Sequence, residues 1–317
     1  MPKLDQILDT DYNTIRNKIV RLLGQGDGQY GYGQQAYITS GPVYDGNSIT
    51  KLQWDQLRAD LTNVKLHQDG VPPPLVSLTS GSVITYDAAS PNTNYNTVAD
   101  QATLSRFNVG TGRSAVTVVS SQTRTGSWTY QSRCTLTVAF TNGSNPARGT
   151  SADFARYFFN SGGKLRFTTS RSGGSTSNQN TAWTNLLTSV GTVEFGGITP
   201  TLRHFYNLTN SYTTVYQLGA TSPYSANYFR IEALCNCVGT NNSDGSASEI
   251  TFRFTWQDDY QDPDSLVSPP PSNPPADVVD GTLTIGVQEV KAGGAILPSG
   301  TFSIESPSYS ITSISYS

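Results

Sequence analysis

"YFRIEALCNC", residues 228–237, and "ITFRFTW", residues 250–256, alternate apolar and polar side chains, with Leu234 the exception on the polar row. Successive side chains of a strand point to opposite sides of its sheet, so period two marks a strand buried on one face. In the first stretch Phe229, Ile231, Ala233, Cys235 and Cys237 share a face, and in the second Ile250, Phe252, Phe254 and Trp256 do. "CTLTVAF" at 134–140 repeats the pattern with Cys134, Leu136, Val138 and Phe140. "VGTNNSDGSASE", at 238–249, is rich in turn formers and predicts a hairpin with a long exposed tip. Half-buried strands need a second sheet to cover them. The reading is a mainly β chain whose centre, residues 72–266, is an antiparallel β-sandwich, with one short helix at "NTAWTNLLTSVG" (180–191) and otherwise strands and loops.

The period changes towards the N-terminus. Residues 9–23, "DTDYNTIRNKIVRLL", place Tyr12, Ile15, Ile19 and Leu22 three and four apart, behind the capping acceptors Asp9, Thr10 and Asp11 and before a stop at Gly24. Residues 48–70 repeat this with Trp54, Leu57, Leu61 and Val64, capped by Ser48 or Thr50. A pair of amphipathic helices buries too little surface to offset chain entropy. Residues 1–71 are therefore expected to form a small helical docking module whose eight large apolar side chains, Tyr12, Ile15, Ile19, Leu22, Trp54, Leu57, Leu61 and Val64, are the assembly interface with other subunits. "VPPPL" at 71–75 breaks the chain, and a proline-rich linker at 267–275 precedes a short C-terminal β module, 276–317, in which Leu283, Ile285 and Val287 alternate. A module of that size is expected to dock on the sandwich or on another chain.

The charged fraction of 14% and net charge of −3 speak against a nucleic-acid partner. No apolar run approaches the roughly 18 residues of a membrane span, so no membrane insertion is expected. "MPKLDQILDT" lacks the basic start and apolar centre of a secretion signal, and the product is expected to stay where it is made. Cys134, Cys235 and Cys237 read as reduced, buried thiols.

Gly26-Asp27-Gly28-Gln29-Tyr30-Gly31 satisfies the G-x-G-x-x-G pattern of dinucleotide sites. That chemistry needs a strand before the first glycine and a helix after the last, so that helix N-terminal amides meet the pyrophosphate. Here the glycines follow a helix and "QYGYGQQAYITS" (29–40) reads as extended chain, which predicts a connector and no cofactor. Cys134, Cys235, Cys237, His67 and His204 lack zinc-site spacing, and no metal is expected from them. Asp258, Asp259, Asp262 and Asp264 in "WQDDYQDPD" leave a calcium site open, though without an EF-hand loop. His204 has no visible nucleophile or orienting acid, and no catalytic residue is assigned. A glycosidase-type pair among Glu194, Glu232, Glu249 and Asp258 is an alternative, since such pairs are defined in space. So is carbohydrate binding by "SRSGGSTSNQN" (170–180) and by Tyr30, Tyr32, Tyr212 and Tyr224.

Five runs, "YNTIRNKIVRLLGQGDGQYGYGQ", "ITKLQWDQLRADLTNVKLHQDG", "ARYFFNSGGKLRFTTSRSGG" with "NTAWTNLLTSVGTVEFGG", and "SPSYSITSISYS", together with "DGTLTI", span nearly the whole chain. In these the chain resembles virion structural proteins of tailed phages, especially those of T4-like marine cyanophages. The resemblance implies a non-enzymatic tail, baseplate or neck component located in the virion. Its expected partners are other copies of itself, as a trimer or higher symmetric oligomer, other phage tail, baseplate or neck proteins, and, in the alternative, a host surface glycan. The chain has no repeats and no heptad stalk, which favours a short fibre, adaptor or connector over a long distal adhesin. The runner-up functions are a carbohydrate-binding adhesion protein and a polysaccharide depolymerase.

Overall fold

The computed structural model describes residues 8–75, 94–142, 146–198, 201–260 and 278–316. The expected linker at 267–275, with Asp262 and Asp264, lies outside the described residues. The described residues form five helices and eleven strands: α1 Asp9–Leu23, α2 Lys51–Asp69, α3 Tyr95–Leu104, β1 Ser114–Thr125, β2 Gln131–Ala139, α4 Ser151–Asn160, β3 Lys164–Ser172, α5 Asn178–Val190, β4 Thr192–Gly196, β5 Thr213–Gly219, β6 Tyr228–Cys235, β7 Glu249–Gln257, β8 Thr282–Ala295, β9 Thr301–Ser303, β10 Ser308–Ile311 and β11 Ser315–Tyr316.

The strands build two antiparallel sheets packed together, the β-sandwich that the alternation implies. One has the order β1-β8-β3-β4, with β9 on β8, and the other β10-β2-β7-β6-β5, with β11 on β2. The expected hairpin is β6–β7, in register from Tyr228 opposite Gln257 to Cys235 opposite Ile250. Its tip is not simply exposed. Asn242 is buried, donates from Nδ2 to the Phe205 carbonyl at 2.9 Å and accepts the Ala247 amide at 2.8 Å, so the turn is pinned. Between the sheets Phe167 meets Phe252 and Phe254 at ring distances of 4.9 and 5.2 Å, and Phe195 meets Phe252 at 5.0 Å. Trp256 gives its indole N–H to Thr169 Oγ1 at 3.1 Å, so this buried ring leaves no donor unpaired.

Two compact units result, and they interleave along the chain. Met1–Ala115, Thr141–Gly163 and Val290–Ser306 make the helical unit; Val116–Phe140, Lys164–Glu289 and Pro307–Ser317 make the sandwich unit. The expected boundaries at 71, 266 and 276 are therefore not those of the fold. The described part of the expected C-terminal module, residues 278–316, does not stand apart: β8 lies between β1 and β3, while β10 and β11 pair with β2. Buried strand surface and open backbone edges are satisfied more fully inside a larger sheet than in a stretch of about forty residues.

In the helical unit α2 begins and ends as its sequence implies and α1 stops at Gly24, but α1 starts behind Leu8, so Asp9 and Thr10 lie in its first turn and do not cap it. The Asp11 carboxylate accepts the Leu8 amide at 3.1 Å, Thr50 and Gln53 form a capping box, and Gly70 ends α2 in the left-handed conformation. Two helices appear where only strands and loops were expected. Asn94 caps α3, and Thr150 with Asp153 caps α4, the latter a T-x-x-D signature legible in the sequence. α4 supplies buried Phe154, Tyr157, Phe158 and Phe159.

These additions change the role of the apolar stripes. Tyr12, Ile15, Ile19, Leu22, Trp54, Leu57, Leu61 and Val64 are each at most 2% exposed within the single chain. Trp54 is edge-on to Tyr12 at 5.3 Å and to Tyr95 of α3 at 5.1 Å. A side chain already out of water has no apolar surface to give a partner, so these residues are the core of the helical unit and not an assembly interface. Leu61→Ala is expected to lower the unfolding free energy by about 2–5 kcal/mol, the cost of a cavity in a closed core. Urea titration followed by circular dichroism reads this, and an unchanged midpoint would show that Leu61 is not core.

Candidate functional site

The glycine-rich connector after α1 is the stretch most like a ligand motif, and its backbone decides what it does. Gly26, Gly28, Gly31 and Gly33 all have positive φ, a region that costs other residues steric strain. The connector turns back on the helix it leaves. The amides of Tyr32, Gln34 and Gly33 donate to the carbonyls of Leu22 at 2.8 Å, Leu23 at 2.7 Å and Gly24 at 2.8 Å. A helix C-terminus carries unsatisfied carbonyls and partial negative charge. Three amides just past the motif are thus spent capping a helix C-terminus, the wrong end of a helix for an anion. Directly after the last glycine comes only a short 3₁₀ turn at Gln35–Tyr37.

The connector is tied down along its length. Asp60 of α2, fully buried, accepts the amides of Thr39 and Ser40 at 2.9 and 2.8 Å and the Thr39 hydroxyl at 2.8 Å. Asn160 of α4 donates to the carbonyls of Gly28 and Gly31. Tyr32 is buried; its hydroxyl donates to the Arg106 carbonyl at 2.8 Å and accepts from Gln68 at 2.8 Å. Tyr30 lies under the Arg21 guanidinium at 3.7 Å, with Arg106 at 5.1 Å.

Beside the connector is a cleft of about 460 Å³, lined by Gly33, Gln34, Gln35, Tyr37, Arg148 and Ser303 among others. Its guanidinium is occupied: Arg148 donates to the carbonyls of Gly33 and Ser303, each at 3.0 Å. Gln34 donates to the Tyr32 and Ser303 carbonyls at 2.9 and 2.8 Å. The polar groups of this cleft brace three chain segments against one another. Arg148 and Gln34 carry no sequence motif that marks them in advance.

The other candidates are dispersed. Glu194 lies between Val193 and Phe195, which face the core, so its carboxylate is on the outer face of its sheet. There it holds Lys164 and Arg166, both at 2.7 Å. Burial alone would raise the Glu194 carboxyl, but the two charged hydrogen bonds outweigh it and hold the group below the usual carboxylate range. Glu232 and Glu249 sit on the outer face of the opposite sheet, Glu232 paired with Arg253 at 2.8 Å. With a sheet spacing of about 10 Å between them, Glu194 and these two cannot make the roughly 5–9.5 Å separation of a glycosidase pair. Asp258 accepts from Gln179 at 2.7 Å and Asp259 from Gln257 at 2.8 Å. Among the described residues no three His, Cys, Asp or Glu side chains gather to hold a metal ion. Cys134, Cys235 and Cys237 are buried and unbridged, and burial pushes the Cys134 and Cys235 thiols up to about 12.

The glycan-binding candidates are also engaged internally. Asp280 accepts the Ser175 amide and hydroxyl at 3.0 Å, a hydrogen bond from Asn180 Nδ2 and an ion pair with Arg171, which fastens the 170–180 loop to the start of β8. Tyr212 lies under Arg253 at 4.0 Å and Tyr224 against Tyr260 at 4.5 Å.

Of the two histidines, His204 is half-buried and burial lowers its basicity. His67 is buried among aromatic rings. It stacks on Phe302 at 4.1 Å and presents Nε2 to the Ser161 carbonyl at 2.9 Å, which selects the neutral Nε2–H tautomer. No protein family, curated protein or solved structure matches this chain.

Two outcomes follow from this geometry. A Cβ at Gly31 would stand 2.0 Å from the Gln25 carbonyl oxygen, at φ +100°, so Gly31→Ala should lose at least about 1–3 kcal/mol of stability; a midpoint equal to wild type in the same urea titration would contradict the connector geometry. Burial pushes His67 down to about 4 from 6.5. Between those values the unfolded chain binds the extra proton, so stability falls as pH falls, by up to about 1.4 kcal/mol per unit. Subtracting a His67→Gln series from wild type over pH 4–7 should isolate that slope, and parallel curves would refute it.

Proposed function

We propose that the chain is a non-enzymatic structural subunit of a tailed-phage particle, an adaptor, connector or short fibre of the tail, baseplate or neck that associates with its own copies and with neighbouring virion proteins. The reading starts from the resemblance carried by the five sequence runs. The observation that carries it further is that the side chains able to do chemistry are engaged in holding the fold. Glu194, Glu232 and Asp280 are paired with cations, His67 is packed neutral, and the glycine connector caps a helix. A scaffold uses its polar groups in this way, whereas an active site leaves some of them facing a cleft.

Assembly on this reading does not use the N-terminal helix stripes, which are already covered. It uses surfaces that remain open on the folded chain, and repeated weak contacts in a symmetric ring supply the net affinity. Mass spectrometry of density-purified particles is expected to recover tryptic peptides of this chain at the stoichiometry of a structural component. Its presence only in the soluble lysate, with none in the particle, would overturn the proposal.

A further inference from the structure

The outer face of the β10-β2-β7-β6-β5 sheet carries a cation that the fold does not use. Arg133 of β2 is exposed, and among the described residues no hydrogen bond, ion pair or ring contact holds its guanidinium. Register fixes what stands beside it. Arg133 is the Cα partner of Thr255 in β7, and Thr255 is in turn the partner of Arg230 in β6. Residues paired in this way share a face and stand about 4.5–5.5 Å apart. Their neighbours along the strands, Ser132 and Cys134, Phe254 and Trp256, Phe229 and Ile231, are all buried. The row Arg133, Thr255, Arg230 therefore crosses three strands on the side away from the core.

Thr255 is a second, independent observation. It is 3% exposed although it lies on the outer side of its sheet, and its Oγ1 has no hydrogen-bond partner. A hydroxyl removed from water ordinarily finds one. Arg230 spends one N–H, from Nε to Gln217 Oε1 at 2.7 Å, and lies over the Tyr228 ring at 4.5 Å, which keeps both of its Nη groups for another acceptor. The carboxylates nearest along these strands are committed elsewhere, Glu232 to Arg253 at 2.8 Å and Asp259 to Gln257 at 2.8 Å. Two cations with spare donors thus flank a hydroxyl that has nothing to bond.

We propose that Arg133, Arg230 and Thr255 form a site for a sulfate or phosphate group, carried as a free ion or as an ester. The two arginines stand two strand spacings apart, about 10 Å between Cα atoms, with the hydroxyl on the floor between them. Arginine side chains lie along a protein surface and shield it while their charged heads stay in water. Rotation of Arg230 away from Tyr228 brings its fork over Thr255 with the backbone left in register. Donors that arrive from two sides and from beneath suit the oxygens of a tetrahedral anion; a planar carboxylate meets the two forks and leaves the hydroxyl without an acceptor. The site goes beyond the virion reading and stands or falls without it.

Equilibrium dialysis of the full chain against radiolabelled inorganic sulfate and inorganic phosphate reads the site, with ionic strength held constant by sodium chloride so that general screening cancels. A hydrogen bond to a charged group is worth about tenfold in affinity or more, so Arg133→Gln and Arg230→Gln should each weaken uptake at least about tenfold. Arg166→Gln makes the same charge change on the other sheet, beside Glu194, and should bind as wild type does. Thr255→Val keeps the side-chain shape. It should weaken uptake several-fold without lowering the urea midpoint, because the hydroxyl that it removes makes no bond in the folded chain. Glucose 6-sulfate and glucose 6-phosphate separate the two sources: uptake of the esters with the same dependence on both arginines assigns the site to a sugar ester, and uptake of the inorganic ions alone assigns it to a free ion. No saturable uptake below about 10 mM, or uptake that Arg133→Gln and Arg230→Gln leave unchanged, means an adventitious ion only and overturns the proposal.

Discussion

The pleat of a strand admits one of its two rows of side chains to a core, and the sandwich depends on the two sheets placing those rows face to face. Phe167, Phe195, Phe252 and Phe254 meet there because each falls on an odd or even row that its strand turns inward. The same constraint sends Glu194, Arg166, Glu232 and Arg253 outward, where opposite charges pair across neighbouring strands.

The helical unit is held by a different means. Its apolar stripes close on one another with the help of α3, α4 and the hairpin end of β8 with β9, segments distant in sequence. Asp60 shows the cost side of that closure. A carboxylate removed from water needs its hydrogen bonds made locally, and the Thr39 and Ser40 amides and the Thr39 hydroxyl make them. The connector is therefore fixed in place by a group that belongs to the core, which explains how a stretch so rich in glycine keeps one path.

That path also explains why a motif read by spacing alone misleads. Gly26, Gly28 and Gly31 stand at the intervals of a dinucleotide loop because both structures need left-handed turns and close backbone approach. What differs is the direction of the amides. In a nucleotide site they face the ligand at a helix N-terminus; here the amides just past the motif, of Tyr32, Gln34 and Gly33, face the carbonyls of Leu22, Leu23 and Gly24 at a helix C-terminus.

Alternation over 134–140, 228–237 and 250–256, and the three-and-four spacing over 9–23 and 48–70, were enough to specify the sandwich, α1, α2, the β6–β7 hairpin and which residues are buried, because period and capping are local properties of the chain. α4 was announced by Thr150 and Asp153, but its nearly continuous apolar run hid the helical period. What covers a buried residue is not local. Whether Leu57 meets another subunit or this chain's own helices, and whether the C-terminal strands fold apart or enter existing sheets, were decided by contacts between segments far apart in sequence, whose burial free energy is the same whatever chain supplies the partner surface.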